Sequence, residues 1–321
     1  RYKNLDHLNT RLGEAMFRRS RADIAEFLPK RQETDVPVAM EEKTQVLYQV
    51  ILNDLLNVIY EAAQAGNFQG FDLMAHYGHG DSAESNRLKG QIMARMTAMR
   101  LLTGHPELLR ASAEDFDDED TATGSAYASE LLIQGLLDGL PSKSAKLDLL
   151  IDLVEEIVSE GPDQKIVVFS GFKPMLRIIS AALTRLKLDH TLMTGDSSAS
   201  ERHRCITKFN TDPDCRLFLS SDAGAYGVNL DSGTHLINYD LPWSAGALQQ
   251  RVARIDRTST QHEQINILYL YTSGTIEERQ YHMLQEKGRI ADAFIDGRGY
   301  DPKEGILQLD LSSLREFLEG G

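Results

Sequence analysis

The sequence predicts an α/β fold in which a parallel sheet is covered by helices on both faces and is preceded by a mostly helical region. Short apolar runs recur between residues 165 and 271, and each ends in a turn or a polar residue. Stretches of helical length and periodicity separate these runs. Strands that alternate with helices in this way indicate a parallel sheet, because each crossover must return the chain to the edge where the previous strand began.

Two helices are predicted in the first half of the chain. Residues 41–65 carry an apolar stripe at helical spacing, and residues 91–110 form a second helix that His105-Pro106 ends. Ahead of them, Leu28-Pro29-Lys30 ends a stretch of helical character, and Val36–Met40 alternates like a short strand.

Two polar segments in this half are predicted to be loops. Residues 66–90 contain His76 and His79 near acidic side chains, and residues 112–125 are strongly acidic. Either segment could be interpreted as a metal site, but neither has cysteines or histidines at ligand spacing. We therefore predict solvated loops and no metal site.

From residue 142 onward the predicted elements alternate. A helix opens at Ser142 and runs to about Ser159. The predicted strands are Lys165–Ser170, Thr191–Met193, Leu217–Leu219, Thr234–Tyr239 and Ile265–Tyr271. The later helices cover residues 174–187, 200–210, 244–257 and 275–294. Such folds bind ligands at the carboxyl ends of the strands, so we expect functional residues in the loops there.

One predicted helix carries the strongest chemical signal. Ser244 is a candidate N-cap, and Gln250, Arg254 and Arg257 follow at i, i+4 and i+7, which places them on one helical face. Two guanidinium groups on one face repel each other unless an anion lies opposite, and their geometry matches phosphate oxygens. The alternative is an exposed helix whose arginines are solvated or paired with nearby acids.

This part of the chain resembles motifs V and VI of superfamily-two helicases and translocases. The motif V pattern is met by Ala223–Leu230, with Ala225 in place of one glycine. The motif VI pattern is met by Gln250, Arg251, Arg254 and Arg257, with Ala253 and Asp256 in place of its glycines.

Within that superfamily, one segment resembles the Swi/Snf-type remodelling ATPases in particular. Its sequence is Asp240-Leu241-Pro242-Trp243. Segments around Arg18–Lys30, Arg100–Pro106, Ser142–Leu147 and Gly274–Glu278 resemble the same group. The resemblance covers about residues 10 to 295 and implies a RecA-like three-layer parallel sheet, the C-terminal lobe of a helicase. It implies four regions: a connector from the preceding lobe (1–40), a helical insertion (41–141), the RecA-like lobe (142–274), and a brace helix with a tail (275–321).

Phosphoryl transfer needs a phosphate cradle and carboxylates that hold Mg²⁺. The sequence contains neither a G-x-x-x-x-G-K-[ST] pattern nor an Asp-Glu pair at the end of an apolar strand. We therefore expect the chain alone to be inactive and, since it starts at Arg1, to be a fragment. The resemblance implies a preceding RecA-like lobe that binds most of the ATP and Mg²⁺.

The resemblance also implies roles for individual residues. Arg254 and Arg257 would be catalytic arginine fingers. Nucleotide binding would involve Gln250, Arg251, Gly227 and Asn229. DNA contact would involve Trp243, for which a half-buried core position is the alternative, and the strand-end residues Ser170, Thr194, Gly195, Ser220 and Ser221.

The bulk composition limits the possible partners. A net charge of -14 excludes a general polyanion-binding surface, so any nucleic-acid contact must be local. Apolar runs are too short to span a membrane, and two cysteines fit a reducing compartment. We expect a bacterial or phage-like protein in the cytoplasm, associated with the nucleoid, whose main partner is double-stranded DNA.

Three functions remain open from the sequence. The first is the motor lobe of an ATP-dependent DNA translocase of the Swi/Snf type. The second is a lobe of a strand-separating superfamily-two helicase from a phage or defence system. The third is a non-catalytic interaction scaffold, which would have no physical need for aligned arginines.

Overall fold

The structure is a computed structural model that describes residues 26–64, 83–117, 125–224, 227–260 and 262–295, with residues 315, 317 and 318 near the end of the chain. Its first elements are β1 (Lys30–Val38), α1 (Glu42–Gln64), α2 (Ala83–Gly104), α3 (Pro106–Asp117) and α4 (Ala126–Ile133). The others are α5 (Ala145–Ser159), β2 (Ile166–Phe169), α6 (Lys173–Arg185), β3 (His190–Met193), α7 (Ala199–Thr211), β4 (Leu217–Ser220), β5 (His235–Asn238), α8 (Ala245–Val252), β6 (Gln264–Thr272) and α9 (Ile276–Ile295).

Six strands form one sheet in the order β1-β6-β5-β2-β4-β3, and every neighbouring pair is parallel. Ile166 at the start of β2 lies opposite Leu217 of β4 and His235 of β5. These three central strands are buried along their whole length. Strands covered on both faces have continuous apolar sequences, which is why the sequence pattern located them. The predicted α/β fold with a parallel sheet is confirmed.

Two apolar clusters fill the spaces on either side of the sheet. Ile166 and Val168 of β2 pack in one cluster with residues of α1 to α6, whereas Val167 and Phe169 pack in the other with residues of α7 and α8. Alternate strand residues point to opposite faces, so each strand contributes to both clusters. The helices α1 to α4 therefore share a core with the sheet.

The structure differs from the predicted elements at several places. The strand predicted at Val36–Met40 is the longer β1, which pairs with β6 over its nine residues. The helix predicted at 91–110 is two helices, because the chain turns at His105 and α3 begins at Pro106. The acidic stretch at residues 112–125 was predicted to be a loop, but its first part is helical, because α3 continues to Asp117. The sequence analysis also missed α4, whose cap Ser125 accepts a hydrogen bond from the Ala128 amide.

Several predictions fall on residues outside the described ranges. They concern the helical stretch at residues 1–25, the histidines His76 and His79, and most of the C-terminal tail. Within the described ranges, no three His, Cys, Asp or Glu side chains lie close enough together to hold a metal ion. No helix in the same ranges is long and apolar enough to cross a membrane.

A buried histidine at the amino end of β5 has a defined protonation state. The Nδ1 atom of His235 lies 2.9 Å from Thr234 Oγ1, and its Nε2 atom lies 2.9 Å from Asn266 Nδ2. The Thr234 hydroxyl donates to the Lys165 carbonyl, so Nδ1 carries the ring proton and Nε2 accepts from the amide. A second proton on Nε2 would face the amide hydrogens of Asn266.

This arrangement predicts a pH-dependent stability. Burial lowers the pKa of His235 from 6.5 to about 4. Between these values the unfolded chain binds a proton that the folded chain does not, so this stability is complete above the unfolded pKa and falls as the pH drops toward 4. We expect the urea midpoint of the wild type to fall more steeply with decreasing pH than that of His235→Asn. Equal slopes for the two proteins would contradict the assignment.

Candidate nucleotide and nucleic-acid interface

Three loops meet at the carboxyl edge of the sheet. They follow the central strands β2, β4 and β5 and cover residues 170–172, 221–224 and 239–243. Because these strands are adjacent and parallel, their carboxyl ends lie side by side. The predicted contact residues Ser170, Ser221 and Trp243 therefore lie at one edge of the sheet.

Arg251 of α8 holds two of these loops together. Its Nε and Nη2 atoms donate to the two carboxylate oxygens of Asp222, at 2.6 and 2.9 Å. Its Nη1 atom donates to the Asp240 carbonyl at 2.6 Å and to Asn238 Oδ1 at 3.2 Å. The guanidinium group also lies over the Phe169 ring, with only 2% of the side chain exposed. Arg251 therefore binds protein groups, which differs from the predicted nucleotide contact.

The carboxylate of Asp240 completes this buried network. It accepts from the Gly171 amide at 2.8 Å and, through a short hydrogen bond, from the Ser170 hydroxyl. Arg251 Nη2 lies 3.7 Å from the same carboxylate, which balances its charge. The Ser170 side chain is fully buried and its hydroxyl is bonded inside the protein, so phosphate contact at this position stays a prediction. A buried carboxylate needs donors, and the Ser170 hydroxyl supplies one of them.

Ser220 and Ser221 likewise use their hydroxyls inside the protein. Ser220 donates to the Ser221 carbonyl at 3.1 Å, and Ser221 Oγ accepts from the Gly224 amide at 3.2 Å. Both serines are buried, so they shape the turn after β4 and do not present hydroxyls to solvent. Phosphate contact at these two positions stays a prediction.

Arg202 of α7 links the turn after β4 to the loop after β3. Its Nη2 atom donates to the Gly195 carbonyl at 3.0 Å, and its Nη1 atom donates to the Gly224 carbonyl at 3.3 Å. Thr194 and Gly195 are half-buried, which keeps them as candidates for DNA contact. Arg202 and Gly224 are 22 residues apart, so no periodic signal in the sequence indicates this contact.

Close packing around Gly224 gives a testable prediction. A Cβ atom at Gly224 would lie 2.8 Å from the Met193 carbonyl oxygen and 3.2 Å from Ser220 Oγ. We expect Gly224→Ala to lower the free energy of unfolding by about 1–3 kcal/mol, because backbone atoms must move to admit the methyl group. Gly246→Ala is the control, since the nearest atom to its Cβ would be 3.5 Å away. Equal denaturation midpoints for the two variants would show that the turn adapts without cost.

The helical face predicted for Gln250, Arg254 and Arg257 is wrong. Helix α8 ends at Val252, and the chain then continues in tight turns. The Arg254 amide bonds back to the Arg251 carbonyl at 3.0 Å, while the Arg254 carbonyl accepts from the Leu230 amide at 3.0 Å. The second bond ties Arg254 to the loop after β4 and draws its backbone away from a helical path.

The turns after α8 nevertheless leave both arginines at the interface. Arg254 and Arg257 are half-buried, and Arg254 Nη1 lies 3.4 Å from the Val228 carbonyl. The Nε atom of Arg257 is buried and has no hydrogen-bond partner among the described residues. Gln250, Gly227 and Asn229 are exposed beside them, and Gly227 has a φ of 73°. A phosphate group would satisfy the buried guanidinium donor, so these side chains fit a nucleotide anion. They do not fit Mg²⁺, which prefers oxygen ligands.

Trp243 is half-buried at the same edge, directly before the N-cap Ser244. The Ser244 hydroxyl accepts from the Ala247 amide at 3.4 Å, which confirms the predicted start of this helix. On its inner side, Trp243 faces the guanidinium group of Arg100 from α2, a contact that the sequence analysis did not foresee.

Known proteins resemble much of this chain. The family described as "Helicase conserved C-terminal domain" matches residues 145–259. "DNA repair and recombination protein RAD54B" of Mus musculus is 29% identical over 211 residues, which are 62% of this chain and 24% of that protein. A Xenopus tropicalis protein, "SWI/SNF-related matrix-associated actin-dependent regulator of chromatin subfamily A containing DEAD/H box 1", is 26% identical over 93% of this chain and 30% of its own length. The chain thus spans about a quarter of the length of these curated relatives.

Solved structures share the fold. The C-terminal part of the Fun30 ATPase domain superposes with a TM-score of 0.57 at 18% identity, covering 91% of this chain and 97% of that one. The Sulfolobus solfataricus SWI2/SNF2 ATPase core in complex with dsDNA superposes with a TM-score of 0.56 at 22% identity, covering 91% and 52%. The two curated relatives are animal proteins, so a bacterial or phage-like origin stays a prediction. The matched domain, the parallel sheet and these similarities support a C-terminal RecA-like lobe of the Snf2-type superfamily-two helicase ATPases.

Proposed function

We propose that this chain is the second motor lobe of an ATP-driven translocase on double-stranded DNA, and that Arg254 and Arg257 contact the phosphates of ATP held mainly by another lobe. One observation carries the proposal. The two arginines lie together after α8, and a buried guanidinium nitrogen of Arg257 has no hydrogen-bond partner among the described residues. A buried donor without a partner is costly, and an incoming phosphate oxygen would remove that cost.

ATP would supply the phosphoryl group, and the chain would supply charge and orientation. Arg254 and Arg257 would stabilise the negative charge on the phosphoryl oxygens, which is the role of arginine fingers in phosphoryl transfer. Gln250 is exposed on the last turn of α8 and could orient the nucleotide through its amide. Arg251 would support the site without contacting the nucleotide, because its bidentate pair with Asp222 fixes the end of α8. Mg²⁺ would be bound by residues outside this interface.

Contacts between the loops suggest how the nucleotide site and the DNA site are coupled. Arg254 bonds to the backbone at Val228 and Leu230 in the loop after β4. Gly224 belongs to the same loop, and Arg202 donates to both the Gly224 and the Gly195 carbonyls. A nucleotide that moves Arg254 would therefore be expected to move backbone groups at the candidate DNA-contacting edge. Coupling between the two sites requires a functional test.

The DNA contact would be local and made largely with the phosphate backbone. The net charge of -14 opposes broad attraction to DNA, so binding depends on the loops at the carboxyl edge. A relative of the same fold has been solved in complex with dsDNA, which favours duplex DNA as the substrate. Backbone contacts imply little sequence preference and a marked loss of affinity with added salt. The cytoplasmic, nucleoid-associated location expected from the sequence stays a prediction.

The proposal is tested by ATP hydrolysis of the protein in which this chain is joined to a lobe with the phosphate cradle. Rates are measured without nucleic acid, with duplex DNA and with single-stranded DNA, beside a strand-displacement assay. Stimulation by duplex DNA without strand separation is the expected result for a translocase. Strand separation would favour the helicase alternative. A protein that is inert under every condition would overturn the motor proposal in favour of an interaction scaffold.

A further inference from the structure

Arg100 lies between two aromatic rings at the carboxyl edge of the sheet. It belongs to α2, one turn before that helix ends at Gly104. Its guanidinium carbon is 5.1 Å from the centre of the Phe172 ring and 5.3 Å from the centre of the Trp243 ring. The two rings come from the loops after β2 and β5, so one side chain of the helical region reaches both loops. A planar guanidinium group can face two aromatic rings at once more readily than a compact ammonium group can.

Hydrogen bonds fix the backbone next to Trp243. Arg100 Nη2 donates to the Leu241 carbonyl at 2.7 Å, and Gln280 Nε2 of α9 donates to the same oxygen at 2.9 Å. Leu241 lies between Asp240, which belongs to the buried network of Arg251, and the half-buried Trp243. Two donors from separate helices thus hold one carbonyl in place.

The position of Arg100 is itself fixed by the end of α2. The Gly104 carbonyl accepts from the Tyr239 hydroxyl at 2.7 Å and from the Ser144 hydroxyl at 3.2 Å. The Thr272 hydroxyl lies 3.4 Å from the Thr103 carbonyl. These donors belong to the sheet and to the cap of α5, so the last carbonyls of the helix are satisfied by the lobe. Helix α2 therefore cannot shift without breaking several buried hydrogen bonds.

The charge on Arg100 is kept in this buried setting. Burial lowers the pKa of its guanidinium group, while the carboxylates of Asp240 and Glu277 raise it. Arginine remains protonated in proteins, so the group stays a cation between the two rings. Its Nε atom has no hydrogen-bond partner among the described residues, which leaves the rings and the Leu241 carbonyl as its main contacts.

We propose that Arg100 is a positioning residue through which the helical region orients Trp243 and the preceding turn for contact with duplex DNA. The DNA part of this inference rests on the proposed function, whereas the positioning of Trp243 does not. It gives the helical region a defined role in the lobe, since α2 supplies the group that supports the DNA-facing loop from inside. Removing Arg100 would take the guanidinium group from the Trp243 ring and leave Leu241 with one donor instead of two.

Trp243 is the only tryptophan in the chain, so its fluorescence reports on this loop alone. We would compare wild type with Arg100→Met and Arg100→Lys, and use Arg95→Met as the control. Arg95 lies on the same helix, stacks on Tyr127 at 4.4 Å and pairs with Asp54 at 2.8 Å, away from the interface. In Arg100→Met, we expect acrylamide quenching to increase and the emission maximum to move to longer wavelength. The quenching and emission of Arg100→Lys should lie between those of the wild type and of Arg100→Met, because lysine can donate to the Leu241 carbonyl but cannot cover both rings.

The control should keep the wild-type spectrum even if its thermal midpoint falls, which separates positioning from general stability. The proposal would be overturned if Arg100→Lys and Arg100→Met both show the acrylamide quenching and the emission maximum of the wild type. Circular-dichroism spectra must show that both variants are folded. If Arg100→Met does not fold, Arg100→Lys alone decides between the two outcomes.

Duplex affinity then separates this proposal from the proposed function. We expect Trp243→Ala and Arg100→Met to weaken duplex binding by a similar factor, about tenfold, given the size of cation–π contacts. If Trp243→Ala leaves duplex affinity unchanged, the DNA contact of Trp243 is wrong, and the fluorescence result still decides whether Arg100 positions it. If Trp243→Ala weakens binding while Arg100→Met does not, the positioning role is wrong and the DNA contact stands.

Discussion

Replacing Arg254 with alanine is expected to slow ATP hydrolysis about a thousandfold while ATP still binds, because arginine fingers act on charge that develops in the transition state. The measurement is steady-state hydrolysis with saturating duplex DNA, combined with nucleotide binding at equilibrium, on the protein that joins this chain to its cradle lobe. Arg257→Ala is expected to behave similarly, since its buried Nε atom has no hydrogen-bond partner among the described residues.

Two controls sharpen this test. Arg254→Lys keeps the charge but loses the planar fork, so we expect only a small part of the rate to return. Arg185→Ala removes an exposed arginine in the last turn of α6, at the opposite end of that helix from the interface, and should leave the rate unchanged. Normal hydrolysis by Arg254→Ala would mean that this arginine does not reach the phosphates, and the proposed mechanism would be wrong.

The second large effect concerns a buried ion pair between α5 and α9. Lys146 Nζ lies 2.7 and 2.8 Å from the two carboxylate oxygens of Glu277, and each side chain is only 2% exposed. Glu277 also accepts from the Thr272 amide at 3.0 Å, and Lys146 lies over the Tyr239 ring. We expect Lys146→Met to lower the free energy of unfolding by about 3–5 kcal/mol, because it leaves a buried carboxylate without its counter-ion.

Chemical denaturation of three further variants distinguishes this effect from general packing. Glu277→Gln should cost less than Lys146→Met, since the amide keeps an acceptor for Thr272. The double variant Lys146→Met/Glu277→Leu should recover much of the loss, because no unpaired charge remains. Lys173→Met breaks a pair with Asp196 in which both side chains are well exposed, and its midpoint should not change measurably. A midpoint for Lys146→Met equal to that for Lys173→Met would contradict the importance of the buried pair.

The sheet could be predicted from the sequence because its central strands are buried on both faces. Ile166–Phe169 and Leu217–Ser220 are continuous apolar runs, and their neighbours are amphipathic helices. Helix α8 was predicted to be too long for a tertiary reason. The residues Ala253, Arg254 and Ile255 have no strong preference against a helix. In the structure, however, the Arg254 carbonyl accepts a hydrogen bond from the Leu230 amide, and Ile255 packs in the core.

The chemistry of the candidate site could be predicted only in part. Arginines and a glycine-bearing loop indicated a phosphate-facing region, and the structure places Arg254 and Arg257 half-buried in the turns after α8. The buried partners of Arg251 and Ser170 could not be inferred, because Asp222 and Asp240 lie 29 and 70 residues away from them. The contact between Arg100 and Leu241 spans 141 residues, so no local pattern reports it.

The pairing of β1 with β6 has a consequence for how the chain folds during synthesis. Tyr269 of β6 donates to Glu33 of β1 across 236 residues, so β1 leaves the ribosome long before its partner strand exists. The sequence of β1, KRQETDVPV, is rich in charge and contains a proline. These features keep an unpaired strand soluble and discourage pairing with other chains. We expect the central strands to assemble first and the early-made strand to dock last, which makes its attachment the slow, long-range step of folding.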